Sequence, residues 1–321
     1  MKAAVCDRYG PPDVVQIRDV PMPVPKAGEL LVESCAATVN SGDARLRALR
    51  VPRGMSPLVR LSMGVTKPRR SVLGFEVAGR VREAASGVTG FGPGDRVVAS
   101  RGFKFGCHAE YITVAEGGQV ARIPDNASYD GAVALCFGGS TALYFLDRAE
   151  LRSGESILIN GASGAVGVIA VQLAKHRGAD VTAVCSSANV DVVRGLGADH
   201  VIDYTEQDFT QNGQRYDVIM DAHGNAPYAR VKNSLQPGGR FLMVVGDLFQ
   251  MVASTWQRAT IGGTAKVSGE IYRTLMSLAQ QGVLKPVIDT VLPFDQIVEA
   301  HHRVDGGHKV GSLVLAFETD H

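Results

Sequence analysis

The chain has 321 residues, of which 45% are apolar and 20% charged, so it has enough length for two domains with ordinary cores. Its 33 basic and 32 acidic side chains leave a net charge of +1, which argues against a nucleic-acid partner driven by global charge. The N-terminus MKAAVCDRYGPPD lacks the apolar core and cleavage pattern of a signal peptide, and no run of about 18 apolar residues suggests a membrane span, so a cytoplasmic protein with no membrane partner is expected.

The first ~125 residues read as short strands broken by Gly/Pro turns. Lys2–Asp7, Val14–Val20, Glu29–Val39, Glu76–Glu83, Asp95–Ser100 and Ala109–Val114 are the strand candidates. Five scattered cysteines (6, 35, 107, 136 and 185) contain no C-x-x-C pair, so neither a disulfide framework nor a zinc knuckle is expected.

From Ser128 the pattern changes to helix and then to alternation: strand Ser156–Asn160, helix Ala165–Arg177, strand Asp180–Ser186, helix Asn189–Leu196 and strand His200–Asp203. Strand Asp217–Asp221, a short helix ending at Leu235 and strand Arg240–Val245 continue it. Such alternation predicts right-handed βαβ units and a parallel sheet covered by helices on both faces. Thr260–Ser268 reads as its last strand. Beyond Gly269 the chain offers an amphipathic helix Ile271–Gln281, with Ile271, Leu275 and Leu278 on one face, a helix Asp295–Arg303 and a strand Ser312–Phe317. A lone C-terminal strand needs a host sheet, and the N-terminal one is the natural choice. The fold class is therefore α/β: a doubly wound parallel sheet over 127–270, and a β-rich domain made of 1–126 and 271–321.

The strongest chemical signal is ILINGASGAVGVIAVQLAK. A strand enters Gly161-Ala162-Ser163-Gly164-Ala165-Val166-Gly167 and a helix follows, which is a dinucleotide fingerprint with Ala162 at the first glycine position. Gly164 lets the backbone approach a pyrophosphate, Gly167 lets the helix pack on the strand, and the helix N-terminus offers free N–H groups. The second strand ends in Ser186-Ser187 and not in the acid that holds an NAD ribose, so NADPH is the expected cofactor. Val245, closing its strand, is a further expected cofactor contact.

Motifs along nearly the whole chain then carry a resemblance to the medium-chain dehydrogenase/reductase superfamily, in its zinc-free quinone-oxidoreductase-like branch. They include MKAAVCDRYGPPDVV, VNSGDARLRA, LGFEVAGRV, PGDRV, HAEY, GGSTALYFL, NGASGAVG, LGADHVIDY, LQPGGRF and GHKVGSLVL. The resemblance implies a Rossmann domain and a GroES-like catalytic domain with the cofactor between them, and a homodimer joined through the edge strand. Zinc members carry a Cys ligand and a Gly-His-Glu motif; Asn40 and Phe75 stand at those positions here, so no metal is expected. His301, His302 and His308 read as solvated. The resemblance puts Asn40 and Thr141 at the nicotinamide end and Tyr204 beside the 2′-phosphate. Two positions depart from it. Ala188 replaces a basic residue common in relatives, and Arg45 stands where many have a tyrosine proton donor. Asn40 and Arg45 are the expected catalytic side chains.

The implied reaction is hydride transfer to a quinone or an α,β-unsaturated carbonyl. The alternatives are a non-catalytic NADPH-binding structural or regulatory protein and a specialised biosynthetic reductase. Finally, the segment 44–75 holds eight basic residues (Arg45, Arg47, Arg50, Arg53, Arg60, Lys67, Arg69 and Arg70) and no acid. With Met55, Leu58, Val59, Leu61 and Met63 as one apolar face, it reads either as a lid over the cleft that suits an anionic or carrier-linked small molecule or as a solvated basic face packed on the domain by its apolar side.

Overall fold

The computed structural model describes residues 1–50, 54–254 and 256–318. Apolar strands alternating with helices build a six-stranded, all-parallel sheet. Its spatial order is His200–Asp203, Asp180–Cys185, Ser156–Asn160, Tyr216–Asp221, Leu235–Met243 and Thr260–Gly262. In chain order that is 3-2-1-4-5-6, the doubly wound arrangement in which a ligand crevice opens where the order reverses, at the C-terminal ends of the first and fourth strands.

Lys2–Cys6 and Val15–Asp19 pair antiparallel as a two-stranded sheet, and the remaining strands form a seven-stranded one. Its spine is Glu29–Val39, paired antiparallel with Glu76–Ala84, Tyr111–Ala115 and Ser312–Ala316. The C-terminal strand thus joins the N-terminal sheet, as its isolation in sequence required. Two strands were not anticipated: Gln119–Arg122 and Ile288–Pro293. Both are short edge strands, the second closed by Pro293, and neither shows a clean alternation. The last parallel strand is three residues, Thr260–Gly262, and not the nine that the apolar pattern suggested.

The helix Tyr129–Arg148 links the two sheets. Ser128 caps it by accepting from the Gly131 N–H. Its buried face belongs to one apolar cluster that includes Ala36, Ala78 and Val98 from one sheet and Ile157, Val181 and Val218 from the other. The core is therefore continuous across the junction, which fixes how the two halves face each other. The helix Gly269–Gln280 packs against it through Tyr272, Leu275 and Met276, and Ile271 and Leu278 lie at the edge of that face. Among the described residues no helix is long and apolar enough to cross a membrane.

Candidate active site

The strand Ser156–Asn160 leaves the sheet into Gly161, whose φ of +80° favours glycine, and the following helix begins at Gly167. A Cβ on Gly167 would lie 2.2 Å from the Gly161 carbonyl oxygen and 2.6 Å from Ala162 Cα, so this residue allows the close helix–strand approach. A Cβ on Gly164 would meet nothing nearer than Gly161 O at 3.5 Å, because its backbone faces open space.

That space is two cavities joined at the loop. One, of about 380 Å³, runs toward Asn40, Ser41, Ala44, Arg45 and Phe137. The other, of about 740 Å³, runs toward Ser186, Asn189, Tyr204 and Arg230. Gly161, Gly164, His223 and Lys309 line both. Two connected chambers either side of an open-faced glycine turn fit the two halves of a dinucleotide.

Of the residues expected to hold the cofactor, Ser163, Gly164, Ala165, Val166, Gly167, Ser186, Tyr204 and Asn40 line these chambers. Four others do not. Ala162 is fully buried under the turn and donates its N–H to Val184 O at 3.0 Å. Thr141 turns its hydroxyl back to Phe137 O at 2.9 Å, and the Phe137 ring takes the cavity wall. Val245 packs at Gly224, outside both chambers. Ser187 faces Thr205 Oγ1 at 3.3 Å and the carboxylate of Asp203, which the Ser187 and Thr205 hydroxyls hold below its usual range. A carboxylate absent from the end of the second strand is thus present at the end of the third.

Among the lining residues that sequence reading missed are Asn189, Arg230 and Lys309. Asn189 donates to Ser163 Oγ at 3.1 Å and Ser186 Oγ at 3.3 Å, tying the glycine turn to the second strand. Arg230 brings a cation to the larger chamber, bound to Asp208 at 3.0 Å. Lys309 donates to Gly311 O at 2.6 Å; burial pushes its ammonium down to about 8, against the opposing pull of Asp289. Nothing in local composition marks the first two, whereas Lys309 lies within the GHKVGSLVL stretch.

At the inner end of the smaller chamber Asn40 caps the helix Ser41–Ala48. Its Oδ1 accepts from Gly42 N and Asp43 N, and Asp43 returns the bond to Asn40 N. Asn40 is thus both the cap of this helix and part of the cavity wall. Phe75, at the position of a histidine ligand in zinc relatives, packs edge-on to Phe105 at 4.9 Å and tilted to Phe137 at 6.0 Å. Among the described residues no group of three or more His, Cys, Asp or Glu side chains could hold a metal ion. Behind Phe75, Glu76 is buried and accepts from the Thr38 hydroxyl; burial raises its carboxyl to about 8, opposed by the Thr38 and Asn40 side chains.

His301 departs from expectation. Its helix is Ile297–Asp305, and the side chain turns inward, wholly buried, 6.1 Å from the His108 ring. Burial holds its imidazole well below the ordinary value, and neither ring nitrogen has a hydrogen-bond partner among the described residues. The reason is position: Ile297, Ala300, His301 and Val304 share the buried face of that helix, while His302 lies on the exposed one.

The described part of the basic segment holds the end of the helix Ser41–Ala48 and the helix Ser56–Met63. Arg45 and Arg50 line the smaller chamber; Arg60, Lys67, Arg69 and Arg70 line neither chamber, and Arg53 lies outside the described residues. On the second helix Met55, Val59 and Met63 are half-buried, but Leu61 is 65% exposed.

Comparison with known proteins matches residues 26–125 to the alcohol dehydrogenase GroES-like domain family and residues 196–315 to the zinc-binding dehydrogenase family. The chain is 32% identical to a chloroplastic quinone-oxidoreductase homolog of Spinacia oleracea, over 95% of both chains. It is 31% identical to a chloroplastic NADPH-dependent alkenal/one oxidoreductase of Arabidopsis thaliana, over 98% of this chain and 79% of that one. It is similar to the solved structure of the quinone oxidoreductase from Coxiella burnetii, with a TM-score of 0.88, 28% identity and 99% of each chain covered.

Proposed function

Because the chain belongs to the zinc-free, quinone-oxidoreductase-like branch of the medium-chain dehydrogenase/reductase superfamily, we propose that it is an NADPH-dependent reductase of a quinone or an α,β-unsaturated carbonyl. The observation that carries this reading is the pair of chambers meeting at the Gly164 turn, one lined by Ser186 and Tyr204 and the other by Asn40 and Arg45. NADPH supplies a hydride to an electron-poor carbon when bound.

The chain's own residues bind and orient. Gly164 and the N-terminus of the Gly167–His176 helix would hold the pyrophosphate, with Lys309 lining the same junction. Ser186, Tyr204 and Arg230, which line the larger chamber, would hold the 2′-phosphate. Asn40 and Arg45 are the side chains that meet the acceptor, a small molecule that is anionic or carrier-linked. Phe137 forms part of the apolar wall. Reduction of an enone also requires a proton at the α-carbon, which solvent would supply.

The same reading divides the chain into a cofactor domain, 127–270, and a catalytic domain, 1–126 with 271–321. It extends to a homodimer through the free edge of Thr260–Gly262, beside which Phe249 is 64% and Trp256 86% exposed. Five unpaired cysteines suit a reducing, cytoplasmic setting.

The test is NADPH oxidation followed at 340 nm against a panel of quinones and enones. Tight cofactor binding with no turnover on any acceptor would place the protein among non-catalytic binders instead.

A further inference from the structure

We infer that the acceptor carries a carboxylate about one helical turn from its electron-poor bond, and that Arg45 is the residue that reads it. The inference rests on the reductase reading above and names the substrate class for that same site.

The helix Ser41–Ala48 starts at the Asn40 cap and forms part of the wall of the smaller chamber. Ser41 and Arg45 are four residues apart, so they share one face, separated by about 6 Å along the axis. Both line the chamber together with Ala44. Arg45 is half-buried there, and burial alone lowers its basicity, with no acidic side chain opposing it. Its guanidinium has no hydrogen-bond or ion-pair partner among the described residues.

Its neighbours differ. Arg47 and Arg50 both bind Oδ2 of Asp305 at 2.6 Å, so the carboxylate that lines this chamber already carries two guanidinium groups, neither of them from Arg45. The two other nearby acids are spoken for inside the protein: Asp43 accepts from Asn40 N and Gly74 N, and Glu76 from Thr38. No acid lies anywhere between residues 44 and 75. Lys309, the other cation shared by the chambers, stands at their junction, on the cofactor side.

A half-buried guanidinium without a counterion is costly unless a ligand supplies one. Its planar fork of donors matches a carboxylate through two parallel hydrogen bonds. In the reductase reading the electron-poor bond would lie near Asn40, at the start of the same short helix, so the partner group must be close. A γ-oxo-α,β-unsaturated acid has that spacing. The phosphates of a carrier thioester sit much farther from the reacting bond.

The experiment compares 4-oxo-2-pentenoate with its methyl ester, and with an enoyl thioester of coenzyme A, in the native protein and in Arg45→Met and Arg45→Lys. The native protein should prefer the acid over the ester in kcat/KM. That preference should fall at least about 30-fold in Arg45→Met, through KM, and recover in part in Arg45→Lys. Calorimetric titration with 4-oxopentanoate, the saturated keto acid, should show the same loss without any turnover, and an unchanged Kd for NADPH confirms that the variant folds. The inference is overturned if acid and ester decline together, if Arg45→Met binds 4-oxopentanoate as the native protein does, or if the thioester is the acceptor whose KM follows Arg45. Should no acceptor consume NADPH, the reductase reading fails, and the calorimetric titration still decides the role of Arg45.

Discussion

Gly311 donates its N–H to the carbonyl of Ser163 at 2.8 Å, and a parallel bridge pairs it with Gly164. The strand that closes the N-terminal sheet is thus bonded to the glycine turn of the other sheet. Gly311 has φ +67°, and a Cβ there would lie 2.1 Å from Val287 O. Gly311→Ala should destabilise the chain by ~1–3 kcal/mol and displace the turn that carries Lys309. Urea unfolding and a fluorescence titration with NADPH measure the two effects. A variant destabilised as expected but with native cofactor affinity would show that the Ser163 contact does not shape the site.

Lys309 gives a second expectation, with a pH signature. Its ammonium titrates at about 8 in the free protein, and a phosphate partner would raise that value. NADPH affinity should therefore be flat in this group below pH 8 and weaken above it. Lys309→Met should raise Kd roughly 10–100-fold at pH 7, the loss of one charge-assisted bond, and abolish the alkaline decline. A native alkaline profile in the variant would assign the titration elsewhere.

Much of this site was legible because the chemistry of a glycine turn is local. Strand, Gly161–Gly167 and helix are contiguous in sequence, and the periodicity of the flanking elements fixes their type. Asn40 was named through the family resemblance, and its cap with Asp43, three residues on, is a local feature of the same kind. The misses share a different origin. Lys309, Arg230 and Asn189 reach the chambers from segments distant in sequence from the turn, and no spacing rule links them to it. His301 looked solvated because it neighbours His302, and only the buried side of the Ile297–Asp305 helix shows otherwise. Ser187 looked equivalent to Ser186, yet Asp203, brought alongside by parallel pairing of the second and third strands, draws it away from the cavity.

Glu76 gives a stability expectation whose sign is fixed by its raised carboxyl. The unfolded chain ionises near 4.5, while the folded one keeps the proton to about 8. The native state therefore binds more protons across that window, so this group lowers stability as pH rises from 4.5 to 8, with no further change above. Glu76→Gln can still accept from Thr38 without a charge to desolvate. It should match the native protein at pH 4.5 and exceed it by roughly 4 kcal/mol at pH 8. Denaturant midpoints at both values check this. A variant less stable at pH 8 would mean that the carboxylate is ionised and paired.

Asn40 and Phe75 stand where zinc relatives place ligands, and the Phe75 ring is packed against Phe105 and Phe137. Elemental analysis of the purified protein should find no stoichiometric zinc. Dialysis against a chelator should leave the rate of NADPH oxidation unchanged. One metal per chain, or activity restored only by added zinc, would contradict the branch assignment.

Cofactor choice should depend on one serine of the adjacent pair. Ser186 lines the larger chamber with Tyr204 and Arg230, whereas Ser187 is turned to Thr205 and Asp203. A carboxylate introduced at 186 would face the 2′-phosphate and repel it, while offering the ribose of NADH an acceptor. Ser186→Asp should weaken NADPH binding by at least about tenfold and tighten or spare NADH, one charge repulsion amounting to roughly 1.4 kcal/mol or more at such a distance. Ser187→Asp should act less on the cofactor and more on the fold, because it sets a second carboxylate against Asp203. The two variants are compared by Kd for both cofactors and by thermal unfolding. If Ser187→Asp switches the preference as strongly as Ser186→Asp, the 2′-phosphate lies nearer the third strand than the chamber indicates. If neither shifts it, selection for NADPH rests on Tyr204 and Arg230.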